Sequence, residues 1–232
     1  MRPKFVLVYT PGRVGTISLM KSLRVRGIYN MYMHDHRLDD TVDGIYRDPA
    51  SKVAAKQRSE VLQQQEDPIH VVTAVRDPIE RAISAYCYFH KHYRPPTNPD
   101  TLKHQFLTVY PHEWYLSWFT NQLGTLFKTD ILSKVHQPEE NFWRIRTEKM
   151  DLAILKLTYM EEGIAKLNDV WDTSLLVENG HRVLQKQSLE SYEKLMEMKF
   201  PVEFTERIYS SRLCKLFYTK EEIQQMKERW TE

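Results

Sequence analysis

The chain has 232 residues, with 33 Lys and Arg against 31 Asp and Glu for a formal net charge of +2. Hydrophobic residues make up 41% and charged residues 28%, which excludes the apolar-poor, highly charged composition of a disordered chain. The balanced charge argues against a dedicated duplex-DNA binder, which carries a marked basic excess, and the length suits a single domain over 1–232.

In chain order, Lys4 to Thr10 is a near-continuous apolar run with β-branched residues, the pattern of a strand buried on both faces. Five to six apolar residues are too few for a signal-peptide core or a membrane span. Pro11 to Gly15 breaks the run, and Ile17, Leu19, Met20 and Leu23 then recur at helical spacing up to Gly27, a helix stop. Ile28 to His34 is a second strand, Pro49 to Gln65 a largely polar helix, and Ile69 to Val75 a third buried strand. Pro78 follows at a position where a first helical turn tolerates proline, so Ile79 to His90 is a helix. Tyr93 to Asp100 is a proline-rich loop, His112 to Phe127 an aromatic helix, Asp151 to Thr158 a fourth strand and Met160 to Val170 a helix. Ser188 to Lys199 and Lys220 to Trp230 are amphipathic helices. Strands alternating with helices imply a short parallel sheet between helical layers, a three-layer α/β fold. Cys87 and Cys214 form neither a metal signature nor a disulfide framework, which favours a reducing, cytoplasmic setting.

Two constellations carry chemistry. The first is the turn from the first strand into the first helix, Gly12, Arg13, Val14, Gly15, Thr16, Ile17 and Ser18. Glycines let the backbone wrap an anion, helix-start amides and the helix dipole favour negative charge, Arg13 adds a cation, and Thr16 and Ser18 add hydroxyls. A plain capped strand–helix turn is the competing reading. A Walker A loop needs four residues between its glycines and a Lys before the Ser or Thr; neither is present. The second constellation is Arg76, directly after the third strand, with Ser84 eight residues on in the following helix. A guanidinium fork suits phosphate; pairing with Asp77 or Glu80 is the alternative. Together, two anion sites at the carboxyl ends of two buried strands point to one ligand with two phosphate groups.

Thr10-Pro11-Gly12-Arg13-Val14-Gly15-Thr16-Ile17-Ser18 resembles the 5′-phosphosulfate loop of sulfotransferases that use 3′-phosphoadenosine 5′-phosphosulfate (PAPS). Val75-Arg76-Asp77-Pro78-Ile79-Glu80-Arg81-Ala82-Ile83-Ser84-Ala85-Tyr86 resembles their 3′-phosphate motif, and Leu157 to Glu161 their strand-end Tyr-Glu segment. Within that family the chain is most similar to bacterial capsular polysaccharide synthesis proteins, through Glu113 to Phe119 and Phe217 to Ile223. The resemblance implies a P-loop-like fold, PAPS as co-substrate, 3′-phosphoadenosine 5′-phosphate (PAP) as product, and a glycan or other polar hydroxyl as acceptor. It also implies leaving-group support at Arg13, where the family usually carries Lys; the two are not interchangeable.

The implied acceptor base lies at the end of a neighbouring strand, where His34 and His36 share a face. His36 is the leading candidate and His34 the second; His90 and His92 are the rival pair, and Asp35 faces the other way. No third ligand turns a His-x-His pair into a metal site, and sulfuryl transfer needs none. Asn179 to Lys186 is a basic loop that would place Arg182 and Lys186 near the 3′-phosphate. Trp114, Tyr115, Trp118 and Phe119 read first as core and second as a sugar-stacking face. The alternative functions are a nucleotide-binding protein of the same fold without transfer activity, in which Arg13 marks a lost Lys, and a P-loop nucleotide kinase. Neither acceptor identity nor oligomeric state is encoded in a recognisable pattern.

Overall fold

The computed structural model describes residues 2–33, 60–62, 64–89, 96–178 and 186–232. The strands are β1 (Phe5–Tyr9), β2 (Tyr29–Met33), β3 (Ile69–Val75), β4 (Phe142–Arg146) and β5 (Met150–Lys156). The helices are α1 (Thr16–Val25), α2 (Pro78–Phe89), α3 (Pro99–Val109), α4 (His112–Trp118), α5 (Met160–Trp171), α6 (Lys186–Glu197), α7 (Val202–Tyr209), α8 (Arg212–Phe217) and α9 (Lys220–Trp230). They build two compact units, Met1–Arg76 with Ser117–His181 and Asp77–Leu116 with Arg182–Glu232. Each unit draws on two separate stretches of chain, which is why no linker shows in the sequence.

The first unit contains a five-stranded sheet in the order β2-β1-β3-β5-β4, parallel throughout except for β4, which runs antiparallel to β5. It is an α/β arrangement with helices flanking the sheet, compatible with three layers. The three expected apolar runs supply its interior strands β1, β3 and β5, where backbone groups are paired on both sides and side chains are buried on both faces. On one face Val6, Val8, Val72, Ala74, Ala153 and Leu155 pack under Leu19 and Leu23 of α1 and Ile164, Leu167 and Trp171 of α5. Gly163 makes that approach possible: a Cβ there would lie 2.8 Å from Leu155 Cδ2 and 3.2 Å from its Cβ. On the other face Tyr9 meets the Trp118 ring edge-on at 5.0 Å, and its hydroxyl donates to Gln122 Oε1 at 3.4 Å.

Three boundaries differ from the sequence expectation. Strand Asp151–Thr158 stops at Lys156, and Leu157–Tyr159 is a tight 3-10 turn leading into α5. The aromatic helix over 112–127 is interrupted after Trp118: Phe119–Gly124 widens to a π turn that buries Phe119, Gln122 and Leu123, and α-helical geometry returns at Thr125 and Leu126. The proline-rich loop gives way to α3 at Pro99, because Asn98 Oδ1 accepts from Thr101 N at 3.0 Å and Pro99 occupies the first helical position. Residues 49–59 and 63 of the expected polar helix lie outside the described residues. No helix among the described residues is long and apolar enough to cross a membrane.

The second unit is helical. Asp77 caps the start of α2: its Oδ1 accepts from Ile79 N at 2.8 Å and Glu80 N at 3.3 Å. The same oxygen accepts from Tyr209 Oη at 2.8 Å, and Oδ2 accepts from Trp230 Nε1 at 2.8 Å, so one carboxylate gathers α2, α7 and α9. The chain end is tied down further by Phe200 N donating to Trp230 O at 2.7 Å. Cys87 and Cys214 are free and buried, and burial pushes the Cys214 thiol up to about 12, so it stays a protonated packing group.

An aromatic cage of Phe106, Tyr110 and Phe204 surrounds His112, with ring centroids 4.8–5.0 Å from the imidazole. His112 Nε2 donates to Phe106 O at 2.8 Å in the neutral ring. Burial pushes the imidazole down to about 4; the Phe106 carbonyl opposes this, while Arg207 and Arg81 add to it. An unfolded chain binds that proton near pH 6.5, so it takes up a proton that the native state refuses as pH falls from about 6.5 to 4. Stability is therefore full above that window and drains away as pH falls through it. Urea unfolding at pH 7 and pH 4.5 should show His112→Phe losing about 2–3 kcal/mol less than the parent chain over that drop. An unchanged pH dependence would mean that the imidazole titrates in the native state.

Candidate functional site

The site is built where β1 ends. Thr10 N donates to Met33 O at 3.0 Å, which holds the start of the following turn against the end of β2. The backbone then enters the left-handed region at Gly12 (φ 72°), Arg13 (φ 62°) and Gly15 (φ 87°). Glycine adopts this at little cost, but for Arg13 it costs about 1–2 kcal/mol. Inside the turn Thr10 Oγ1 and Thr16 Oγ1 are hydrogen-bonded at 2.6 Å, and Gly12 N donates to Thr10 Oγ1 at 3.3 Å. The two threonine hydroxyls thus close the base of the turn.

α1 opens immediately behind it, with Leu19 N donating to Gly15 O at 3.0 Å. The amides of a first helical turn have no intrahelical acceptor, and this first turn contains no acidic residue, so the positive end of the dipole is not offset by the helix itself. Val14 is completely buried and contributes backbone only, Thr16 is buried, and Ile17 and Ser18 are half-buried.

The sheet order brings Arg76 to the same place. From β1 the chain goes to β2 on one side, and β3 lies on the other, so the carboxyl ends of β1 and β3 flank the point where strand order reverses. In open α/β sheets this crevice is where ligands bind. Arg76 leaves β3 there, half-buried, and its Nη1 donates to Arg13 O at 3.1 Å across 63 residues of sequence. The loop from Gly12 to Ser18 and Arg76, two separate readings of the sequence, are therefore joined by a direct hydrogen bond.

The remaining expected site residues lie in the second unit or outside the described residues. Ser84 is buried on α2 in the second unit, and Lys186 is the first residue of α6. His34, His36, Asp35, His90, His92 and Arg182 lie outside the described residues. Trp118 and Phe119 are fully buried and Tyr115 nearly so, which makes them core residues rather than a sugar-stacking face.

One residue escaped the sequence reading. Lys156 ends β5, in register with Val75 of β3, and is 2% exposed. Its Nζ donates to Pro138 O at 3.2 Å and lies 5.8 Å from the Trp143 ring and 5.9 Å from that of Tyr159. It adds a buried cation to the carboxyl edge of the sheet. The signal was a lone lysine inside the apolar run Asp151–Thr158.

Against known proteins, the chain matches no family model, no curated protein and no solved structure.

The loop glycine offers a controlled test. Gly15 and Gly27 are both left-handed, but a Cβ at Gly15 would lie 2.9 Å from Leu157 Cδ1 and 3.0 Å from Met160 Cε, whereas a Cβ at Gly27 meets nothing within 4 Å. Gly27→Ala should cost about 1 kcal/mol from the backbone alone, and Gly15→Ala about 2 kcal/mol, in urea unfolding at pH 7. Equal losses would show that Leu157 and Met160 simply move aside.

Proposed function

We propose that this chain is a sulfotransferase of P-loop-like fold that moves a sulfuryl group from PAPS to a hydroxyl of a glycan, of the capsular polysaccharide type, or of a similar polar acceptor. One observation carries the reading: the glycine loop and Arg76 meet at the point where the strand order reverses. That is where an anionic ligand gains helix-start amides, a helix dipole and two arginines at once. The resemblance of Thr10–Ser18 and Val75–Tyr86 to the two phosphate motifs of PAPS enzymes adds the ligand's identity.

In this reading the S–O bond to the bridging phosphate oxygen breaks as the acceptor oxygen bonds to sulfur. The acceptor proton passes to a base, for which His36 and then His34 are the candidates, and PAP departs with the bridging oxygen. Charge grows on the leaving phosphate, and the loop amides and Arg13 are the groups suited to stabilise it. Arg76 and Ser84 are assigned to the 3′-phosphate, with Arg182 and Lys186 closing over the nucleotide. Reach favours Arg13 as a charge partner, but its planar fork spreads the charge that an ammonium would focus.

Thermal or urea unfolding with added nucleotides tests the ligand. PAP in saturating excess should stabilise the protein by about 2–4 kcal/mol, and ATP and GTP by much less. Equal stabilisation by ATP would favour the kinase reading and defeat this one.

Transfer from radiolabelled PAPS to a panel of bacterial polysaccharides tests the chemistry. Arg13→Ala should lower turnover by about 10²-fold, more than it lowers PAP affinity, and Arg13→Lys should retain or raise it. PAP binding without transfer to any acceptor would leave a nucleotide-binding protein. Unchanged turnover in Arg13→Ala would remove Arg13 from the chemistry.

A further inference from the structure

We infer that Arg76 is a positioning residue for the anion loop itself, a task separate from any contact it makes with a 3′-phosphate. The inference rests on the sulfotransferase reading for the identity of the ligand, but not for the geometry. Arg76 Nη1 donates to Arg13 O at 3.1 Å. The residue whose carbonyl it holds is the one non-glycine residue of the turn in the left-handed region, at φ 62°.

A peptide plane is rigid and trans, so the carbonyl of Arg13 and the amide N–H of Val14 point in opposite directions and move together. Fixing one fixes the other. The Arg13–Val14 peptide is the unit that flips if Arg13 relaxes to a right-handed or extended conformation. Val14 is fully buried and anchors one side of that unit. The Thr10–Thr16 hydrogen bond closes the base of the turn but does not reach this carbonyl. Arg76, arriving from the adjacent strand, holds the orientation that leaves the Val14 amide facing away from the guanidinium. A charged donor is suited to this task because a hydrogen bond from an ionised group is stronger than a neutral one.

The guanidinium has five N–H donors in a fixed fork. Holding Arg13 O and contacting a phosphate are two distinct tasks for such a fork. They separate by ligand. Adenosine 5′-monophosphate lacks the 3′-phosphate, so a residue that only binds the 3′-phosphate leaves its affinity alone. A residue that shapes the 5′-loop does not.

The experiment compares the whole chain with Arg76→Ala by amide hydrogen exchange over Gly12 to Leu19 without ligand, and by calorimetric titration with PAP and with adenosine 5′-monophosphate. Exchange in that segment should quicken about tenfold, while exchange in β3 and β5 and the unfolding midpoint stay unchanged. Affinity for adenosine 5′-monophosphate should fall about tenfold, and affinity for PAP by at least as much. Arg76→Lys, which keeps a cationic donor on a long stem, should recover most of both losses. Unchanged exchange in the segment, or loss of PAP affinity alone with adenosine 5′-monophosphate binding intact, overturns the inference. If the parent chain binds neither nucleotide, the sulfotransferase reading fails, and the exchange comparison still decides the role of Arg76. If the alanine variant does not fold, Arg76→Gln, with a shorter neutral donor, is measured in its place by the same criteria.

Discussion

The hydrogen bond from Arg76 to the Arg13 carbonyl is the constraint on which the site depends. Without it there is a glycine turn on one strand and a cation on the next. With it, the turn's least favourable residue, a left-handed arginine, is held by a charged donor from the neighbouring strand. The cost of the strained conformation, about 1–2 kcal/mol, is of the size that one charge-assisted hydrogen bond offsets. The bond exists because β1 and β3 are direct neighbours although 59 residues lie between Tyr9 and Ile69. The parallel sheet, and the helices that cover its faces, are what bring the two ends together.

The next residue does comparable work in the second unit. Asp77 accepts from two amides at the start of α2, from Tyr209 and from Trp230. Burial holds its carboxyl above the ordinary value, and the four donors oppose that rise without cancelling it. A buried carboxylate is tolerable only with that many partners. Arg76 and Asp77 are thus adjacent residues of opposite charge, the first in one unit and the second in the other.

How much was legible follows from how local the cause was. β1, β3 and β5 are readable because a strand buried on both faces writes itself as a continuous apolar run, and the capped starts of α3 and α9 because their partners are three residues away. β4 was not readable. Its five residues, Phe-Trp-Arg-Ile-Arg, contain two charges that suggest surface, and the explanation lies on the neighbouring strand: Asp151 of β5 accepts from Arg144 Nε at 2.8 Å and Nη2 at 2.6 Å. The π turn after Trp118 was illegible for the same reason, since a helical apolar spacing does not say where a turn widens. Of the candidate site, residue types and their chain positions were visible, but the bond that joins them was not. Its acceptor is a backbone carbonyl, which carries no sequence signature.

The same distinction explains why Lys156 was passed over and what it contributes. A lysine in a fully buried strand is unfavourable unless its ammonium is met, and here a carbonyl and two aromatic faces meet it. Its placement at the last residue of β5 is not a requirement of packing, because an apolar residue would fill the same position more cheaply. Three neighbouring parallel strands therefore end in or are followed by a cationic residue: Arg13 after β1, Arg76 after β3, and Lys156 at the end of β5, one strand beyond the crevice. Dipoles at helix starts already favour an anion on this edge. Three cationic residues there, in a chain whose overall charge is only +2, weight this edge of the sheet toward positive potential.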